Sequence, residues 1–137
     1  MVDGLTNAVR ALVVENDLAS RELLARVLRL RGVEAQTSVG LAQAARGLQS
    51  ADAPYDLLVL DLNLEPVDGT ELLRQVASLP ASRWPARIVV IGEVSALYPK
   101  LAELQLPLEM FQKPVHLPSL IKVVDALKGD EPRQKAE

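Results

Sequence analysis

Three apolar runs of strand length recur along the chain, Ala11–Val14, Leu57–Leu60 and Ile88–Ile91. None alternates with polar residues, which is how strands covered on both faces read, so together they predict a parallel sheet. Between the first two lies DLASRELLARVLRLRG, where Leu24, Val27, Leu28 and Arg31 fall on one helical stripe. Asp17 is placed to cap the start of this helix and Gly32 to end it. VEAQTS then alternates like a short strand, and GLAQAARGLQ reads as an Ala-rich helix weakened at its far end by Gly47. After Gly69, TELLRQVASL carries apolar Leu72, Leu73 and Val76 ahead of Pro80 and predicts a third helix. The segment Glu93–Pro107 is the least regular, because Pro99 inside SALYPKLAELQ interrupts a continuous helix; a short or bent element is expected. LEMFQ is a last strand. LPSLIKVVDALKG is a helix with Pro118 in its first turn, apolar Leu120, Val123, Val124 and Leu127, and Gly129 at its end. This alternation of strand and helix predicts an α/β fold, a single doubly wound five-stranded parallel sheet with helices on both faces.

Length and composition narrow the class. A chain of 137 residues holds one core, expected over residues 9–128, with a flexible N-terminus at 1–8 and a disordered tail at 129–137. Hydrophobic residues at 49% and charged residues at 24% match ordinary globular usage and not a disordered chain. No apolar run approaches the roughly 20 residues of a membrane span. The start, MVDGLTNAVRALVV, lacks a basic n-region and cleavage site, so a cytoplasmic location without membrane insertion is expected. The absence of cysteine excludes disulfides, thiolate metal sites and a Cys nucleophile. The net charge is −3, with Lys and Arg spread along the chain, which argues against direct contact with nucleic acid.

Polar residues gather where the strands end. The first strand runs into Glu15, Asn16 and Asp17, the third into Asp61 with Asn63 two later, and the fifth into Lys113 and Pro114. Ligands of open α/β sheets bind outside those carboxyl ends. An isolated aspartate after a strand is most often a cap or a loop acid, and Glu15, Asn16 and Asp17 also suit a helix start. An oxygen-rich, sulfur-free cluster, however, favours Mg²⁺, which takes octahedral oxygen ligands at about 2.0–2.1 Å and usually keeps several waters. With such an ion and the point charge of Lys113 to neutralise an incoming phosphoryl group, Asp61 is placed to act as a nucleophile and form an acyl phosphate.

The motifs LVVEND, YDLLVLDLNLEPVDG and KPV, in that order, resemble the receiver domain of two-component response regulators, over roughly residues 9–128. The resemblance implies a flavodoxin-like receiver fold that is a signalling module and not an enzyme beyond self-catalysed phosphoryl transfer and autodephosphorylation. It implies Asp61 as phosphoacceptor and Lys113 as the lysine contacting the phosphoryl group. Mg²⁺ would be held by Asp61, Asn16, the backbone carbonyl of Asn63 and, through water, Glu15. Gly69 matches the loop glycine. The implied partners are a histidine kinase or phosphotransfer protein upstream, and downstream a protein partner or second copy docking at about Ser95–Leu127.

Three positions depart from the family pattern. Asn16 stands where a second carboxylate usually binds the metal, which removes a charge worth about 4 kcal/mol per pair at 4 Å and an effective dielectric of 20, before desolvation and screening. Weakened Mg²⁺ affinity is expected. Gly92 stands where a Thr or Ser hydroxyl usually meets the phosphoryl group, so only its backbone remains for that contact. Met110 occupies the switch position, where an aromatic is common. These departures support an alternative, a pseudo-receiver that acts as an interaction module without phosphorylation. A phosphatase of the haloacid dehalogenase type, suggested by VDGTELL, is disfavoured because DLN lacks the second acid of its D-x-D spacing. Met110 and Phe111 also read as plain strand residues with one facing the core, His116 as a surface or capping residue, and Trp84 as a loop residue covering the sheet edge.

Overall fold

The computed structural model describes residues 8–50, 52–63, 69–93 and 98–129. The strands are β1 (Arg10–Val14), β2 (Glu34–Ser38), β3 (Leu57–Asp61), β4 (Arg87–Ile91) and β5 (Leu108–Phe111). The helices are α1 (Leu18–Leu30), α2 (Leu41–Ser50), α3 (Thr70–Ala77), α4 (Tyr98–Ala102) and α5 (Leu117–Lys128). All neighbouring strands pair in parallel, in the order β2-β1-β3-β4-β5. The doubly wound sheet expected from the apolar runs is therefore present.

Strand side chains alternate between faces, and this divides the core in two. Ala11, Val13, Leu57, Val59, Val89 and Ile91 pack under α1 and α5, against residues such as Leu28 and Val124. Leu12, Val14, Leu58, Leu60, Ile88 and Val90 pack under α2, α3 and α4, against Leu48, Leu72 and Leu101. Each fully buried Leu, Ile or Val contributes about 1.5–3 kcal/mol, so covering both faces is what holds β1, β3 and β4 in the centre. Among the described residues no helix is long and apolar enough to cross a membrane.

Local signals act largely as read. The Asp17 carboxylate accepts the Ser20 amide at 2.9 Å and caps α1, and Gly32 leaves the helix at φ +84°, a conformation that favours glycine. Several expectations need correction. On α1 the buried stripe is Leu24, Ala25 and Leu28; Arg31 is exposed and pairs with Asp125 of α5 at 3.2 Å. Around Pro99 the short element that was expected is found, a five-residue α4 from Tyr98 to Ala102, and the residues before it, 94–97, lie outside the described residues. Trp84 donates its indole N–H to the Leu79 carbonyl at 3.0 Å and packs on the core layer under α2–α4. The sheet edges are β2 and β5, so Trp84 covers a face and not an edge. Met110 and Phe111 both pack inward, one on each layer. Residues 1–7 and 130–137, where most of the flexible N-terminus and disordered tail are expected, lie outside the described residues.

Candidate functional site

Register decides which polar residues meet. Val13 pairs with Val59, Asp61 with Ile91, and Ile91 with Phe111. Glu15 lies two residues beyond Val13, Asp61 two beyond Val59, and Lys113 two beyond Phe111, so the period of two carries all three to the α1–α5 side of the sheet's carboxyl edge. Lys113 Nζ donates to Asp61 Oδ2 at 3.0 Å, and the Asn63 amide donates to Asp61 Oδ1 at 2.9 Å. Asp61 is only 2% exposed and Glu15 4%, whereas Lys113 keeps 39% of its side chain in solvent. A buried carboxylate thus ends the strand, anchored by a lysine from the rim.

Glu15 is the strained member. Its Oε2 accepts the Asp17 amide at 3.0 Å. Burial is the main cause that lifts its carboxyl from an ordinary 4.5 to about 7, and contact with the Asp61 carboxyl and its charge add to the lift against the Asp17 amide and Lys113. Asp17 behaves oppositely, since the Ser20 amide and hydroxyl hold its carboxyl below the usual value. Its cap role, and not proximity to Asp61, explains its position.

The donor set fits a hard, oxygen-preferring cation. Glu15 and Asp61 are two buried carboxyl groups in contact, facing one partly exposed ammonium, a set of oxygen donors that a divalent ion would bind. Asn16 is exposed beside them. Among the described residues no group of three or more acids or histidines gathers.

The opposite side of the same edge is built differently. Leu62 is buried among the α2–α4 layer and lies against Gly92, where a built Cβ would sit 3.5 Å from Leu62 Cβ. Gly92 itself has φ +149°, a conformation that L side chains rarely adopt, and its amide donates to the Phe111 carbonyl at 3.1 Å. The backbone contact expected from Gly92 to a phosphoryl group therefore competes with a sheet hydrogen bond. Met110 packs on the α2–α4 layer, away from the acid cluster. Gly69 is the turn residue that opens α3, with φ −71°, and a Cβ there would come within 3.0 Å of the Asp61 carbonyl and 3.1 Å of Leu62 Cα. Close approach of α3 to the acceptor strand is what requires it.

Two contributors were not singled out in the sequence. Arg21 Nη1 donates to the Glu15 carbonyl at 3.0 Å and ties α1 to the acid loop; its signal is a lone arginine one turn after the cap. Gln112, beside Lys113, donates to Glu93 at 3.0 Å across the ends of β4 and β5. His116 precedes α5 without capping its backbone, and its Nδ1 lies 2.8 Å from Ser119 Oγ.

Comparison with known proteins matches residues 11–125 to the family model of the response regulator receiver domain. The chain is 30% identical over 127 residues to the transcriptional regulatory protein PrrA of Mycobacterium leprae, covering 92% of this chain and 52% of that one, and so spans about half the length of that relative. It is 24% identical over 127 residues to a probable chemotaxis protein CheY of Rhizobium etli, covering 92% and 97% of the two chains. Among solved structures, a CheY-like receiver domain from Methylobacillus flagellatus superposes with a TM-score of 0.74 at 24% identity, over 88% of this chain and 98% of that one. A response regulator receiver protein from Pseudomonas putida does so with 0.73 at 25% identity, over 86% and 96%.

Proposed function

Because the chain belongs to the response regulator receiver domain family of two-component systems, a family of signalling modules that bind Mg²⁺ and act between histidine kinases and effectors, we propose that Asp61 accepts a phosphoryl group from a histidine kinase or phosphotransfer protein. The observation that carries this reading is the 3.0 Å contact of Lys113 Nζ with Asp61 Oδ2 at the end of a buried strand. Lys113 and the Asn63 amide together fix the plane of the carboxylate, so attack needs little reorganisation. A carboxylate oxygen of Asp61 bonds to phosphorus as the donor's N–P bond breaks, and the departing imidazole keeps the electron pair and takes up a proton. Lys113 then turns its charge to a phosphoryl oxygen. Asp61, Asn16, the Asn63 carbonyl and, through water, Glu15 would hold Mg²⁺, whose chemistry when bound is to neutralise charge on the phosphoryl oxygens. Output passes by protein contact, to a partner or second copy, through about Ser95–Leu127, of which residues 94–97 lie outside the described residues. We place this chemistry in the cytoplasm.

Incubation with Mg²⁺ and acetyl phosphate tests the reading by intact mass. A gain of about 80 Da in the wild type, absent in Asp61→Asn, is the expected result. A second reading, an interaction module that works without phosphorylation, is favoured by the Gly92 amide held by Phe111 and the exposed Asn16. An unchanged mass at millimolar Mg²⁺ selects it.

A further inference from the structure

Between α1 and the residues that follow β5 lies a cleft of about 480 Å³. Leu23 and Leu24 of α1, Ile91 at the end of β4, and Val115 and Leu117 form its apolar walls, and Glu15 and Lys113 form its polar end. Lys113 is also the residue bonded to Asp61, so the cleft and the acceptor share a wall. Its volume lies in the range of small-ligand sites, about 300–1,000 Å³. A phosphoryl group on Asp61 would meet this cleft at Lys113, its polar end. Leu23 is 51% exposed there, and Val115 and Leu117 are half-buried.

We propose that this cleft receives the leaving group of the phosphodonor and selects donors whose leaving group is apolar, of the size of an aromatic ring or branched acyl chain, over small ones such as acetate. The proposal rests on the reading of Asp61 as acceptor. For an acyl phosphate, a carboxylate oxygen of Asp61 forms a bond to phosphorus and the bond from phosphorus to the acyl oxygen breaks. The departing carboxylate keeps the electron pair, and no proton moves. That carboxylate leaves beside the Lys113 ammonium, and its substituent lies among Leu23, Leu24 and Val115. Each methylene-sized group removed from water there is worth about fourfold; for a ring in an open cleft about tenfold in all is expected.

The test measures second-order rate constants for the mass gain at Asp61, with Mg²⁺, for acetyl phosphate and benzoyl phosphate. In the wild type the benzoyl donor is expected to react about tenfold faster. Leu23→Ser, at an exposed position that folding tolerates, and Leu117→Ala should each reduce that ratio at least threefold. Leu30→Ser, on the same helix, 75% exposed and outside the cleft, should leave it unchanged. Equal rates for the two donors, or a preference that both cleft variants retain, overturns the proposal while the acceptor reading stands. If neither donor modifies the wild type, the acceptor reading fails and the proposal falls with it.

Discussion

On the α1–α5 side of the sheet, odd-numbered strand positions end in Glu15, Asp61 and Lys113; on the α2–α4 side, even-numbered positions end in Leu62, Gly92 and Met110. The first side gathers charge, burying two carboxylates under one lysine. The second is apolar, ending in a leucine, a glycine and a thioether. Both sides hang from the same strands, yet the period of two keeps them apart. On the proposed reading, phosphoryl acceptance would draw on the first side and the relay of its consequences on the second, and the two could change independently.

The sharpest way to break this comparison is at Lys113. Lys113→Ala removes the cation bonded to Asp61 among the described residues and should slow phosphorylation by acetyl phosphate about a hundredfold, the scale of a lost charge-stabilising donor; a loss under threefold would show that the acceptor side does not work as described. Glu15 sharpens the comparison through pH. Its folded carboxyl, raised from 4.5 to about 7, binds a proton more tightly folded than unfolded. The stabilisation is therefore complete below about 4.5 and is lost as pH rises through about 7. Unfolding free energy from urea titrations should fall by roughly 2–3 kcal/mol across that window, and Glu15→Gln should flatten the decline. The smallest effect belongs to the relay side. Gly92→Thr restores a hydroxyl but must hold a β-branched residue at φ +149°, so it should lower stability by about 1–2 kcal/mol without prolonging phosphoryl lifetime. A Thr variant as stable as wild type, with a longer-lived adduct, would mean that the Gly92 backbone adapts freely.

Much of this was legible in the sequence because it depends on local pattern. The unbroken runs at Ala11–Val14, Leu57–Leu60 and Ile88–Ile91 identify central strands, and residues at their carboxyl ends share one rim in any open α/β sheet. That is why the sequence alone pairs Asp61 with Lys113 across the chain. What escaped depends on contacts and torsions that no local pattern encodes. Gly69 matches a loop glycine in the sequence, but the approach of α3 to the Asp61 carbonyl, which is what requires it, shows only in the fold. Gly92 reads as a missing hydroxyl, whereas its positive φ and its bond to Phe111 emerge only from the pairing of β4 with β5. Arg31 fits the helical stripe by spacing, yet Asp125, 94 residues away, draws it to the surface.

The central claim, that Asp61 and Lys113 form the acceptor on the α1–α5 side while the α2–α4 side responds least, is tested most directly by backbone amide shifts on adding Mg²⁺ with beryllium fluoride, which mimics the phosphoryl group. The predicted shifts cluster at Glu15–Asp17, Asp61–Asn63 and Lys113–Val115, continue along α5, disappear in Asp61→Asn, and are smallest at Leu101–Met110. Large shifts across Leu101–Met110, or none at the acid cluster, would contradict it.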